Sequence, residues 1–191
     1  LVQLIQSHQQ QVPDHKVICF FPTARATQLA AELFVALGKP VTEIHSRKSQ
    51  GHRTKAADQF REAKSGVMMS SDVSARGLDY PDVTLVIQIG LPSSREQYIH
   101  RLGRTARAGK TGEGLLLLAP HEEFFTRGLR DLPITNAPAA VDPNTAHTVT
   151  QALTRVDVRT KEQAYVAWMG FYNGSSSKMG WSKAQLVENA N

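Results

Sequence analysis

Short apolar runs alternating with helically spaced ones constrain this chain more than any other feature. Val17-Ile18-Cys19-Phe20-Phe21, closed by Pro22, is rich in β-branched and aromatic residues and reads as a buried strand. From Ala24 to Leu37 the apolar residues Leu29, Leu33, Phe34 and Leu37 fall at helical spacing, and Gly38-Lys39-Pro40 stops the helix. The alternation continues. Strands are expected over 40–44, 67–70, 84–90 and 114–119, the last a buried strand, with helices over 50–63 and 96–102 and through Phe124, Phe125 and Leu129. Strand and helix in strict turn predict an α/β fold, a parallel sheet sandwiched by helices.

Past Leu132 the pattern changes. Pro133 to Asn144 holds three prolines and several alanines, and 133–150 reads as a semi-rigid linker after a domain over 1–132. Helical spacing returns from about Thr145, and 151–191 reads as the start of a helical C-terminal extension. Tyr165, Trp168, Met169 and Tyr172 group together there; Trp168 and Trp181 could stack on bases, but their expected place is in a core against the tail's own helix. Gly174-Ser175-Ser176-Ser177 reads as a flexible loop, and Ser182 as the cap of a last short helix with Leu186 and Val187.

Charge is concentrated. The net charge is +5, yet between His45 and Lys110 twelve Lys/Arg stand against six Asp/Glu, an excess of six. A localised basic surface is the footprint of a nucleic-acid or polyphosphate binder. No apolar run approaches the ~20 residues that cross a membrane, and no basic-then-apolar leader opens the chain, so neither a membrane nor secretion is expected. The start lies inside an amphipathic pattern (Leu1, Leu4, Ile5), as expected of a piece of a longer protein. The single Cys19 sits in an apolar strand, forbids an internal disulfide and reads as an inert buried thiol.

Two stretches carry chemistry. In Tyr98-Ile99-His100-Arg101-Leu102-Gly103-Arg104-Thr105-Ala106-Arg107-Ala108-Gly109 three arginines fall at a spacing of three, with no acid between Glu96 and Glu113. Arginine is favoured over lysine where a planar, permanently charged fork must grip phosphate, so the segment reads as a phosphate-facing array. Upstream, Ser71-Asp72-Val73-Ser74-Ala75-Arg76-Gly77-Leu78-Asp79 follows a buried-type strand. It places hydroxyls and acids where ligands of open α/β sheets sit, outside the carboxyl ends of strands. In order and separation these stretches resemble motifs V and VI of DEAD-box RNA helicases. Val17-Ile18-Cys19-Phe20-Phe21-Pro22-Thr23 resembles motif IV, and Ser49-Gln50-Gly51-His52-Arg53 resembles the Gln-x-x-Arg element.

The resemblance implies a RecA-like second domain that supplies half of an ATP-dependent RNA helicase. The fragment alone is expected to be inactive; the rival reading is a stand-alone RNA-binding or regulatory module. By the same resemblance Gln50, Arg53, Ser71 and Asp72 touch the RNA backbone without regard to sequence. Gly77 and Asp79 meet the ATP, and Arg104 and Arg107 reach its phosphates as catalytic arginine fingers. Arg76, His100 and Arg101 join this half to an N-terminal RecA-like half, which holds the Mg²⁺. A monomer is expected. There are departures: Ser71 stands for the usual threonine, Ser74 for alanine, and Pro22 where asparagine is common. Pro22-Thr23 and the tail run A-Y-x-A-W-x-G-F-Y-N most resemble the mitochondrial intron-splicing branch, implying a mitochondrial location with nucleus or cytoplasm as alternatives. Gly103 to Thr111 contains Gly-Lys-Thr but five residues separate Gly103 from Gly109, where a P-loop has four. The histidines at 45, 52 and 100 lack partners at metal-ligand spacing and read as polar contacts, so no metal is expected on this chain.

Overall fold

The computed structural model describes residues 1–72, 80–106, 111–137 and 141–190. Five parallel strands form one sheet in the order β2-β3-β1-β4-β5: β1 (Lys16–Phe20), β2 (Thr42–Ile44), β3 (Gly66–Ser70), β4 (Leu85–Ile89) and β5 (Glu113–Leu117). The central strand β1 is buried throughout, and its alternate residues feed opposite layers. Val17 and Cys19 face a cluster with Ile5 of α1 (Val2–Gln11) and Ala30, Ala31 and Phe34 of α2 (Ala24–Ala36). Ile18 and Phe20 face Ala56, Ala57 and Phe60 of α3 (Gln50–Glu62). Each fully buried large apolar side chain contributes roughly 1.5–3 kcal/mol, which makes this two-sided packing the main source of stability.

Several local devices behave as the sequence chemistry demands. Thr23, behind Pro22, caps α2 by accepting from the Ala26 amide at 3.0 Å. Lys16 is buried at the start of β1, and its ammonium donates to the carbonyls of Arg61 (2.8 Å) and Pro81 (3.3 Å) over the Phe60 ring. Cys19 is fully buried, and desolvation pushes its thiol well above the usual range.

Two expectations change. β5 is an edge strand, half-buried at Leu115–Leu117 and exposed at Glu113 and Gly114, because only β4 pairs with it. Phe124, Phe125 and Leu129 lie on a 3-10 helix, Pro120–Leu129. Beyond it, α5 (Pro143–Thr154) starts inside the stretch read as linker, capped by Asp142, which accepts from the Thr145 amide at 2.8 Å. Val149 of α5 packs on the first core cluster, and α6 (Val158–Asn173) packs along α2. The extension closes with α7 (Ser176–Met179) and α8 (Lys183–Ala190). It is fastened to the sheet domain.

Candidate functional site

The site is assembled around α4 (Arg95–Leu102), capped by Ser94, which accepts from the Gln97 amide at 3.1 Å. Gln97 and Arg101 are four apart and share a face, which meets the residue just past β3. Arg101 Nε donates to Asp72 Oδ1 at 2.7 Å and Gln97 Nε2 to the same oxygen at 2.8 Å. Arg101 is fully buried, with its guanidinium 5.5 Å from the centroid of the Phe20 ring. The Asp72 side chain is 40% exposed, but the guanidinium is buried and would lose its carboxylate if the pair broke. Arg101, expected at the junction between two halves, is therefore held inside this one. Asp72, expected on RNA, has Oδ1 engaged by Arg101 and Gln97, and its negative charge is a poor match for phosphate.

Arg101 and Arg104 do not form one array. α4 ends at Leu102 with Gly103 as its cap, so the spacing of three continues into a turn. There Arg104 is half-buried, and its Nε donates to the His100 carbonyl at 3.3 Å. His100 is exposed. Thr105 donates its hydroxyl to the Val83 carbonyl, and Ala106 takes φ +55°. Arg104 lies near Tyr80, whose hydroxyl burial pushes up to about 12 against the opposing fields of Arg61 and Arg104. Arg76, Gly77, Asp79 and Arg107 lie outside the described residues.

A second group lies at the carboxyl end of β2. Ser49 caps α3 through the His52 amide, and Arg53 donates to Gln50 Oε1 within the first turn. The Ser71 amide donates to the Ile44 carbonyl at 3.1 Å, tying the exits of β2 and β3 together. Gln50 is exposed, Arg53 half-exposed and Ser71 buried. Among the described residues no group of three or more His, Cys, Asp or Glu suits a metal. His45 instead meets Glu43 Oε1 at 2.7 Å.

Sequence reasoning missed Gln97, Glu122, Arg95 and Asp131. Arg95 grips Asp131 with both guanidinium nitrogens, at 2.7 and 2.6 Å. Glu122 had a signal, an acid at the third position of a turn opened by Pro120, where carboxylates reach back to the preceding amide. It accepts from the Ala119 amide at 2.7 Å and is 2% exposed.

The fold is that of a RecA-like half: a parallel sheet flanked by helices, with an arginine-bearing helix and turn beside it. Residues 1–109 match the family model of the helicase conserved C-terminal domain, and the chain belongs to that family, as the C-terminal RecA-like domain of a DEAD-box RNA helicase. DEAD-box ATP-dependent RNA helicase 31 of Arabidopsis thaliana is 54% identical over 192 residues, a match that covers all of this chain and 27% of the relative. Helicase 31 of Oryza sativa subsp. japonica is 53% identical, with 35% of it covered. The chain thus spans about a third or less of these relatives. Domain 2 of the DEAD-box helicase Mss116p, solved bound to an RNA duplex, superposes with a TM-score of 0.85 at 29% identity, over 99% of this chain and 77% of that one.

Proposed function

We propose that the full-length protein hydrolyses ATP in a cleft between this domain and an N-terminal RecA-like half, and couples closure on RNA to the separation of short duplexes. The observation that carries this reading is the contrast between neighbouring arginines. Arg101 is locked to Asp72 inside the domain, whereas Arg104 sits three residues on, at the end of the helix, in a turn fixed by Thr105. A guanidinium so anchored is preorganised for charge that develops on a transferring phosphoryl group, the arrangement that needs no reorganisation at the moment of reaction. Arg107 joins it in the same role, and Gly77 and Asp79 meet the nucleotide. Gln50, Arg53 and Ser71 hold the RNA backbone.

ATP bound with Mg²⁺ supplies the phosphoryl group, and the metal is held by the N-terminal half. What this chain contributes is positive charge at the phosphates and neutral or cationic donors along the RNA. His100, exposed on α4, faces the other half. The relatives named as ATP-dependent RNA helicases, and the helicase domain solved with an RNA duplex, support this reading. The resemblance of the tail supports a mitochondrial location, which fractionation of tagged full-length protein tests; a monomer is expected on sizing.

The test is Arg104→Ala in the full-length enzyme. Arginine fingers contribute about 10³–10⁵ in rate, so kcat for RNA-stimulated hydrolysis is expected to fall at least about a hundredfold while nucleotide affinity changes by a few-fold. A raised KM with kcat intact would remove Arg104 from the transition state.

A further inference from the structure

The crevice where strand connections diverge, between the carboxyl ends of β1 and β4, is a common ligand position in open parallel sheets. Here the chain fills it with its own tail. Gly90 leaves β4 at φ +73°, and a Cβ there would lie 3.3 Å from Glu122 Oε1, 3.4 Å from the Tyr172 hydroxyl and 3.5 Å from Pro22 Cγ. Glu122 Oε1 accepts from the Leu91 amide at 3.1 Å and from the Tyr172 hydroxyl, while Oε2 accepts from Ala119. Tyr172 is itself 4% exposed. One buried carboxylate thus joins the exit of β4, the start of the 3-10 helix and α6 of the extension.

The exit of β4 is also the entry to α4. Leu91 stands three residues before the Ser94 cap. The next residue, Arg95, is gripped by Asp131 and donates to the Gly128 carbonyl at 3.1 Å, just past and within the 3-10 helix. Tyr98 meets Phe125 edge to face, with centroids 6.5 Å apart. On its other side the 3-10 helix meets the tail through His121, whose ring lies 5.6 Å from Tyr172 and 4.6 Å from Trp181. A continuous series of contacts therefore runs from the extension through the 3-10 helix to the N-terminal half of α4, and the helix carries Arg101 and ends at Leu102, two residues before Arg104.

We propose that Glu122 and Tyr172 are positioning residues, a latch through which the C-terminal extension sets the placement of α4 and hence of Arg104. A purely structural tail would add stability to the whole domain evenly. A latch acts first on the segment it holds, because local opening is governed by local contacts. This inference rests on the catalytic role proposed for Arg104, and its test separates the two.

Tyr172→Phe keeps the ring packing and removes only the hydroxyl's bond to the carboxylate. In the 191-residue chain, amide exchange of residues 91–102 is expected to accelerate about tenfold, as loss of a hydrogen bond to a charged group allows, while β1 and β3 keep their protection. In the full-length enzyme the same variant is expected to lower kcat several-fold with KM for ATP unchanged. Arg95→Ala, which opens the second tether from the solvent side, is expected to reproduce both effects. Uniform acceleration over the whole chain, or none in 91–102, overturns the latch whatever the kinetics. If exchange responds and Arg104→Ala lowers kcat, but both tether variants hydrolyse ATP at the parent rate, the positioning role is overturned and the proposed function stands. If Arg104→Ala itself leaves kcat intact, it is the proposed function that fails.

Discussion

Ala106 carries the clearest backbone conflict in the site. Its φ of +55° lies in the left-handed region, where a Cβ crowds the carbonyl and costs roughly 1–2 kcal/mol. The turn keeps it there because Thr105 is fixed and Gly112 packs close. Thr105 donates to Val83, and Gly112 comes so close that a Cβ on it would fall 2.6 Å from the Ala106 nitrogen. Strain two residues past Arg104 is the kind of local cost that functional sites retain. Ala106→Gly is therefore expected to stabilise the chain by about 0.5–1 kcal/mol, raising Tm by roughly 1–4 °C for a chain of this size. Differential scanning calorimetry reads it, and a lowered Tm would show that the turn gains more from the methyl than it loses in strain. Such a residue was not legible beforehand. Sequence spacing marked Arg101, Arg104 and Arg107 as equivalent, because it cannot show that the helix ends at Leu102 and that one arginine turns inward to Asp72 while the next leaves on a turn.

At the scale of elements, the strands were legible because burial on both faces leaves an unbroken apolar run, as in Val17–Phe21. The run at 114–119 looked the same, but composition does not tell an inner strand from an edge one, and Leu115 to Leu117 are only half-buried. Asp142-Pro143 carried a cap-and-first-turn signal that the surrounding prolines and alanines obscured. The short edge strand β2 makes a sharper case. Its Glu43 is 18% exposed and accepts from His45 and from Lys48, each at 2.7 Å. Burial alone raises the carboxyl's pKa, but the bonds from His45 and Lys48 together outweigh it and hold the group below its ordinary value. A depressed folded-state pKa contributes stability above the unfolded value and loses it as pH falls through the folded one. Lys48 stands next to Ser49, the cap of α3, so this bond also fixes the approach to Gln50 and Arg53. Glu43→Gln is expected to cost about 1 kcal/mol at pH 7 and progressively less as pH falls below the ordinary glutamate range near 4. Urea midpoints at pH 7, 5 and 3.5 give the comparison. A deficit independent of pH would mean that the side chain matters for packing and its charge does not.

For the whole molecule, the sequence reading succeeded where function is written in local stretches and fell short where it depends on distant parts meeting. The aromatic tail was expected to pack within the extension. Trp168, Trp181 and Tyr172 do cluster, but on the 3-10 helix and on Leu91 of the sheet domain, a meeting across some eighty positions that no spacing rule exposes. The basic excess between His45 and Lys110 likewise gave a footprint without a geometry. In the structure that excess divides: Arg101 is internal, Arg104 belongs to the helix end, and Arg53 lies on the first turn of α3, half-exposed. Arg53 is therefore the cleanest probe of RNA binding. A guanidinium on a phosphate carries no base information, and removing one such pairing reduces the slope of log K against log salt by about one. In the full-length enzyme with an ATP analogue present, Arg53→Ala is expected to weaken binding of unrelated single strands by a similar factor and to flatten their salt dependence. Affinities at four salt concentrations on two unrelated RNAs decide it. A loss confined to one sequence at an unchanged slope would mean that Arg53 reads bases, and the backbone role assigned to α3 would have to be given up.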